Sequence, residues 1–538
     1  MKRTIKVASL ALLMICAAAF TLQAAGSKEG AAKAGDESGR LKAIGFSPVG
    51  MPIVSKPIAI RAIAIHSLAT RPAYKDMEVI KNLMAKSNVN VEFEELPPGS
   101  TEKINLMFAS RDFPDVTFSV GVSDKNLWDA AQGNDVWALN DMIAKYAPNW
   151  QKAFQERPII RKAITFPDGK IYSLPYYREI LNDYGIRDTQ FINAKWLKDL
   201  GLKMPGTTEE FYQVLKAFRK GINDGVLPKN GIPWALWYHA YSNGGEFELY
   251  NAFGLWMAGS GSGAEKYLSV NSGKVEFGAT DRKLIAAADY LHRLYAEKLV
   301  SEDMFTISGN DHTIRIRTNP PIIGAGSEYF IQAALEDFFD PMPPLAGPDG
   351  TRRFRSMPIR METNKFVIYK KLANPEVMVR FIDNWAEQDF AARASYGGST
   401  LIANKDGTYT TQGTGEDWYK YGPHNQFPTY ISKATADKIA WTGEQGEREK
   451  NVRDVFLPFI WPQDRHFAYI TYNSDEQSEL AILSKDIGDY VKTSIAGWIV
   501  KGGAEAGWDE YLKQLEKLGL SKAMKIYQTA YDRFSTKG

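Results

Sequence analysis

The stretch from Pro57 to Val120 constrains the fold most, because its apolar residues switch period several times over a short length. Pro57 to His66 (PIAIRAIAIH) alternates and then runs apolar with isoleucines, as a strand does. Lys75 to Ser87 (KDMEVIKNLMAKS) instead sets Met77, Ile80, Leu83 and Met84 at helical spacing. Val89 to Glu94 alternates again, Thr101 to Ser110 reads as a helix, and Phe113 to Val120 (FPDVTFSV) supplies a third strand. Strands that alternate with helices bury their apolar faces as a mostly parallel sheet covered on both sides, so the fold class is α/β. Such sheets bind ligands beyond the carboxyl ends of their strands. The turns after Ile65 and after Val116 therefore supply the first ligand-binding candidates, His66, Ser67, Phe118 and Ser119.

One sheet does not account for 538 residues, since a single domain usually holds ~100–200. From Phe191 onward the pattern turns helical: Asn193 to Leu200, then Thr207 to Ile222, with Thr207 or Thr208 as N-cap before Glu209 and Glu210. Asp281 to Glu297 is a further amphipathic helix, and Pro320 to Gly326 and Lys365 to Tyr369 read as buried strands. Asn374 to Gln388 is another helix, and Trp498 to Phe534 a terminal helix pair parted at Gly519. With 44% apolar and 24% charged residues the chain can bury a core, and only Ser27 to Gly39 has the composition of a flexible tether. Basic and acidic residues nearly balance, 65 against 63, without a long basic run, which argues against a nucleic-acid partner.

At the N-terminus Lys2, Arg3 and Lys6 precede an apolar run from Val7 to Phe20, the pattern of a secretory signal peptide, with cleavage expected after Ala24. No later segment approaches the ~20 apolar residues that span a bilayer. Cys16, the only cysteine, lies inside the apolar run. Removal with the peptide and lipid attachment are its two readings, and Met14 and Ile15 before it fit lipidation poorly. A mature chain without it has no disulfide, thiolate zinc site or cysteine nucleophile. The histidines at 66, 239, 292, 312, 424 and 466 lack metal-ligand spacing, and Asn404 to Thr408 (NKDGT) lacks the spaced carboxylates of a calcium loop and reads as a turn. No metal or cofactor is expected. The chain has no G-x-S-x-G elbow, no H-E-x-x-H and no Walker loop. A glycoside hydrolase needs only two carboxylates ~5–10 Å apart, for which Glu246 and Glu248 are the best local pair, although in a strand they share a face merely by period.

Six blocks in order, DFPDV (112–116), LNDMIAKYAPN (139–149), DGKIYSLPYY (168–177), WLKDLGLKMPGTTEEF (196–211), NPEVMVRFIDNWAEQ (374–388) and WDEYLKQLEKLGLSKAMKIYQTAYDRF (508–534), resemble the extracellular solute-binding proteins of carbohydrate ABC importers, in their long lipoprotein-type branch. The resemblance implies a type II periplasmic-binding-protein fold, two lobes with a ligand cleft between them. It puts the chain crossings near 168–178, 354–360 and 396–401, so that 1–24 is signal peptide, 25–40 tether, 41–167 and 361–395 lobe one, and 168–360 and 396–538 lobe two. It further implies a monomer at the periplasm or cell surface that captures a mono- or oligosaccharide by lobe closure. The cargo would pass to a membrane permease whose ATPase subunits are separate chains. A secreted glycoside hydrolase and a sugar-sensing receptor component are the alternatives.

Sugars offer hydroxyls to polar side chains and flat CH faces to aromatic rings. On the resemblance, Tyr177, Arg178 and Glu179 after the Leu-Pro of the first crossing, and Glu328 and Tyr329 after the strand ending at Gly326, line the cleft. The aromatic segment Pro233 to Tyr250 adds Trp234, Trp237 and Tyr238. Each has a plainer alternative: a solvated ion pair for Arg178 and Glu179, a helix start for Glu328 and Tyr329, inward core packing for the aromatics. Arg178 in a cleft leans toward an acidic sugar. Trp418, Tyr421 and Trp461 read as packing, and a role for Ser399 and Thr400 in YGGST is in doubt because close relatives carry a different turn there.

Overall fold

A computed structural model describes residues 37–66, 71–179, 185–240, 244–257, 259, 261–329, 331–356, 358–412 and 418–536. The signal peptide, Cys16 and Ser67 lie outside the described residues. Two sheets organise the chain. The larger has six strands in the order Thr429–Ile431, Ser173–Arg178, Met361–Ile368, Val116–Phe118, Ile58–Ile65 and Val89–Leu96. The strand Ile58–Ile65 runs parallel to both neighbours, in register from Ile58 opposite Val89 to Ile65 opposite Leu96. Only Met361–Ile368 runs against its neighbours. The second sheet has four strands, Phe339–Pro341, Thr189–Asn193, Ile323–Glu328 and Ile232–Trp234, of which the last two are parallel.

The period-two pattern does what it predicts. Ile60, Ala62 and Ala64 pack into one core, with Phe118, Trp150, Phe366 and Trp385, while Ile63 enters a separate core on the other face with Phe113, Val367 and Tyr369. The second sheet is flanked by the helix Thr208–Asn223, whose Thr207 and Glu210 form a capping box, and the 28-residue helix Ser474–Lys501 packs in the same core against the helix Lys283–Ala296. That long helix presents Ile487, Val491, Ile495 and Ile499 as one buried stripe four residues apart. From the sequence a terminal helix is legible only from Trp498, because a stripe this narrow leaves the other faces polar. Helices Ala504–Lys517 and Leu520–Thr536 follow, parted at Gly519, whose φ of 90° suits only glycine.

Three expected boundaries need correction. Ser173–Arg178, placed in lobe two, hydrogen-bonds into the six-stranded sheet between Met361–Ile368 and Thr429–Ile431. Residues 396–431 also stay with that sheet, because the edge strand Thr429–Ile431 closes onto Ser173–Arg178; three residues carry too little period to be recognised beforehand. The expected tether is helical from 37, where Arg40 is held by Glu376 at 2.6 Å. A small three-stranded sheet, Leu401–Ala403, Tyr409–Thr411 and Ile439–Ala440, packs with the first lobe, so the chain passes between the two larger sheets within 179–188, 342–360 and 442–473.

These passages pack on one another. Ile186, Phe354, Val452 and Phe456 make a small apolar cluster, with the Phe354 and Phe456 rings 4.7 Å apart and Phe354 N donating to Phe459 O at 3.0 Å. Helix Gly443–Asn451 continues into a π turn, Val452–Phe456, and Arg448 on it is buried. The Arg448 guanidinium donates to the carbonyls of Ile186 (2.6 Å), Arg187 (3.0 Å) and Tyr329 (2.7 Å) and lies 4.0 Å from the Tyr329 ring centre. One side chain thus ties the first and third passages to the end of a lobe-two strand.

Candidate functional site: an arginine–aromatic wall at the strand ends

The strand Ser173–Arg178 ends in a cluster of cations and rings. Arg178 is 3% exposed, with its guanidinium 4.6 Å from the Tyr176 ring centre and 5.0 Å from that of Tyr396, at the end of helix Gln388–Tyr396. Arg360, entering the neighbouring antiparallel strand, lies 5.2 Å from Tyr176. Arg71, in the loop after the first strand, lies 3.1 Å from the Tyr419 ring. Tyr396 in turn meets Trp418, His424 and Trp441 at 5.8, 5.9 and 4.8 Å. Guanidinium groups over ring faces gain about 0.5–2 kcal/mol each, more as water leaves.

His424 shows the field of this cluster. Its pKa lies well below 6.5, first because burial opposes the charged ring and then because Arg178, Arg360 and Arg71 repel it. The neutral ring donates from Nδ1 to Ser395 O, 2.5 Å away, which leaves Nε2 as an acceptor. The cluster thus gathers cations, one imidazole and aromatic rings, of which Tyr176, Arg178 and Tyr396 are buried in this conformation; these are the group types that suit a polyhydroxyl or anionic ligand.

The second lobe brings another polar group together. Buried Arg355 sits 3.2 Å from Glu248 and 3.7 Å from Asp188. Trp256 meets Trp461 at 5.1 Å and His466 at 4.7 Å, Trp461 Nε1 donates to Asn251, and His466 Nε2 lies 3.2 Å from Ser356 Oγ. Glu246 and Glu248 stand on a helix, Glu246–Ala252, not on the expected strand, because left-handed Gly245 lets the chain turn into a helix there. Both are buried. Glu246 accepts from the His239 amide and Glu248 is engaged by Arg355, which leaves the pair in no position to flank a glycosidic bond.

Most sequence candidates fall elsewhere. Phe118 is fully buried and stacks on Phe427 at 4.2 Å. Tyr177 is buried in the first core, Trp234 packs edge-on against Phe211, and the Tyr238 hydroxyl donates to Lys492 O at 2.8 Å inside the second core. Trp237 is half-buried beside His312. Glu179 is neither solvated nor open: it binds Arg157 and accepts from the Lys433 amide at 3.0 Å, bracing adjacent strands. Glu328 is buried against Arg317, and Tyr329 lies under Arg448, so neither starts a helix. His66, with Nε2 3.1 Å from Pro72 O, and Ser119, which donates to Gln426 O, stand at strand ends. Of the eleven described candidates Arg178 alone lies inside the wall. Nothing in the sequence singles out Arg71, Tyr176, Arg360, Tyr396, Tyr419, His424 and Trp441, since no local motif marks residues gathered from six separate segments.

Among the described residues no group of three or more His, Cys, Asp or Glu is placed to hold a metal ion, and Asn404 to Thr408 forms a turn closed by Gly407 N donating to Asn404 O. No described helix is long and apolar enough to cross a membrane.

Buried titratable groups predict a peaked stability profile. Burial, with the charge of Glu248 adding to it, pushes Glu246 up to about 8, and burial pushes His239 and His466 down to about 3. The folded form holds the Glu246 proton more tightly, so stability falls as pH rises from about 4.5 to about 8. It binds histidine protons less tightly, so stability also falls as pH drops from 6.5 toward 3. The expected maximum lies near pH 6.5, with a loss of about 2 kcal/mol by pH 8 at ~1.4 kcal/mol per pH unit. Urea titrations across pH should show the alkaline limb in the native chain and not in Glu246→Gln; a limb that persists in the variant refutes the assignment.

No protein-family profile matches the chain. It is 26% identical over 491 residues to the fructooligosaccharide ABC transporter substrate-binding protein FusA of Streptococcus pneumoniae serotype 4, covering 85% of this chain and 87% of that one. The FusA structure in complex with kestose superposes with a TM-score of 0.73 at 23% identity, over 89% of this chain and 100% of that one. A human-milk-oligosaccharide-binding solute-binding protein associated with an ABC transporter, from Bifidobacterium longum infantis, superposes with a TM-score of 0.77 at 22% identity, over 90% and 100%. Two sheets joined by three passages define the class, a two-lobed solute-binding fold. Over most of its length the chain is similar to solute-binding proteins of carbohydrate ABC importers, and the relatives named are binding proteins rather than enzymes.

Proposed function

We propose that this protein, exported and acting as a monomer without catalysis, closes its lobes on an oligosaccharide and delivers it to a membrane permease served by separate ATPase chains. The observation that carries this reading is the wall formed by Arg71, Arg178 and Arg360 with Tyr176, Tyr396 and Tyr419. Rings provide faces for sugar CH groups, and guanidinium forks provide donors for hydroxyl or carboxylate oxygens. Closure about the Ile186–Phe354–Phe456 cluster would bring the Trp256–Trp461 group toward the same ligand. Three guanidinium groups in one cluster also favour a uronide over a neutral sugar of equal length.

Thermal unfolding against kestose, nystose, milk oligosaccharides and oligogalacturonides, with amino acids and short peptides as controls, tests the proposal. A ligand bound only by the native state stabilises it by about 2.7 kcal/mol at a hundredfold excess over Kd. The expected result is a concentration-dependent rise with at least one saccharide series, the saccharide being recovered intact by chromatography. A rise with peptides alone would move the substrate class, and cleavage of any saccharide would return the hydrolase.

A further inference from the structure

Beside the wall lies a cavity of about 420 Å³, within the ~300–1,000 Å³ of small-molecule sites. On one side it is lined by Lys433, Asp437, Ile439 and Trp441, which follow the edge strand Thr429–Ile431; on the other by Glu449, Arg453 and Leu457 of the third passage. The spacing of that second set is informative. Arg448, Val452 and Phe456, four residues apart, turn toward the packed passages, and Glu449, Arg453 and Leu457 form the neighbouring stripe that faces the cavity. Trp441 is shared, since its ring also meets Tyr396 at 4.8 Å and Trp418 at 5.7 Å. The cavity therefore adjoins the arginine–aromatic wall through Trp441, which packs on Tyr396, and rests against the segment about which the lobes would turn.

Its chemistry differs from that of the wall. Asp437 pairs with Lys433 at 2.6 Å, Glu449 is almost fully buried with Oε1 accepting from Gln445 at 2.9 Å, and Arg453 is exposed. Carboxylates, cations and one indole face balance in charge and suit an uncharged sugar ring. Resting on the proposed function, we infer that this cavity is an end subsite, which holds a terminal neutral sugar unit of a longer oligosaccharide and so selects for chain length. A unit held there bridges the lobe-one edge and the third passage, which favours the closed arrangement only for ligands long enough to reach it.

Calorimetric titration of the mature chain with fructo-oligosaccharides, milk oligosaccharides and oligogalacturonides, each from disaccharide to pentasaccharide, tests this. Asp437→Trp, at an exposed position, plugs the cavity without touching the wall, and Arg453→Ala removes a contact from the opposite side. The expected result is unchanged affinity of Asp437→Trp for the shortest ligand bound and at least a tenfold loss for longer ones, with a smaller loss at the same lengths in Arg453→Ala. Equal affinities of wild type and both variants at every length would remove the subsite and leave the proposed function standing. A uniform loss at all lengths, or a wild type that takes only the shortest ligands, would also overturn it, and a wild type that binds no saccharide overturns both.

Discussion

Arg448→Met is expected to lower the stability of the protein by about 3–5 kcal/mol, the usual range for removing one member of a buried charged network. Arg448 supplies the donors for three carbonyls, two on the first passage and one at Tyr329. Methionine fills a similar volume, so the loss should come from the orphaned carbonyls, each of which costs about 1–3 kcal/mol when buried, and not from a cavity. Urea unfolding measures it directly. A loss under ~1 kcal/mol would mean that water takes over the three contacts and that the passages are held by the Phe354 cluster alone.

The second large effect is on binding. Arg178→Ala should weaken the saccharide selected by the thermal panel about 30- to 100-fold, or ~2–2.7 kcal/mol, as a hydrogen-bonding cation among rings is lost from the wall. Arg178→Lys keeps the charge without the planar fork and should recover only part of that loss. Titration calorimetry reads both variants, and the unfolding midpoint without ligand separates binding from folding. Unchanged affinity in Arg178→Ala would take the wall out of the binding site. Because Arg178 also depresses His424, Arg178→Ala should move the His424 titration upward, a shift that NMR of the imidazole follows independently of ligand.

Legibility differed sharply between fold and site. Alternation at Ile58–Ile65 and the helical spacing of Met77, Ile80 and Leu83 report on neighbours a few positions away, and the structure places those residues in the cores accordingly. Thr207 and Glu210 form their capping box for the same reason, since both partners lie within one helical turn. The lobe of Thr429–Ile431 is not legible locally, because a three-residue edge strand owes its place to its partner Ser173–Arg178, some 250 positions away. The aromatic run from Pro233 to Tyr250 misled in a related way, since the rings that stack on sugars are also those that fill cores, and burial decided for Trp234 and Tyr238.

By itself the sequence determined the α/β class, the presence of two lobes and the kind of protein, because short-range periodicity and ordered sequence blocks are carried residue by residue along the chain. Only the tertiary structure decided that Arg71, Arg178, Arg360, Tyr396 and Trp418 stand together and that Glu246 and Glu248 are buried and held by the His239 amide and by Arg355. The reason is physical: guanidinium–ring contacts and burial depend on distances between segments remote in sequence, and those distances exist only once both sheets and the three passages between them have formed.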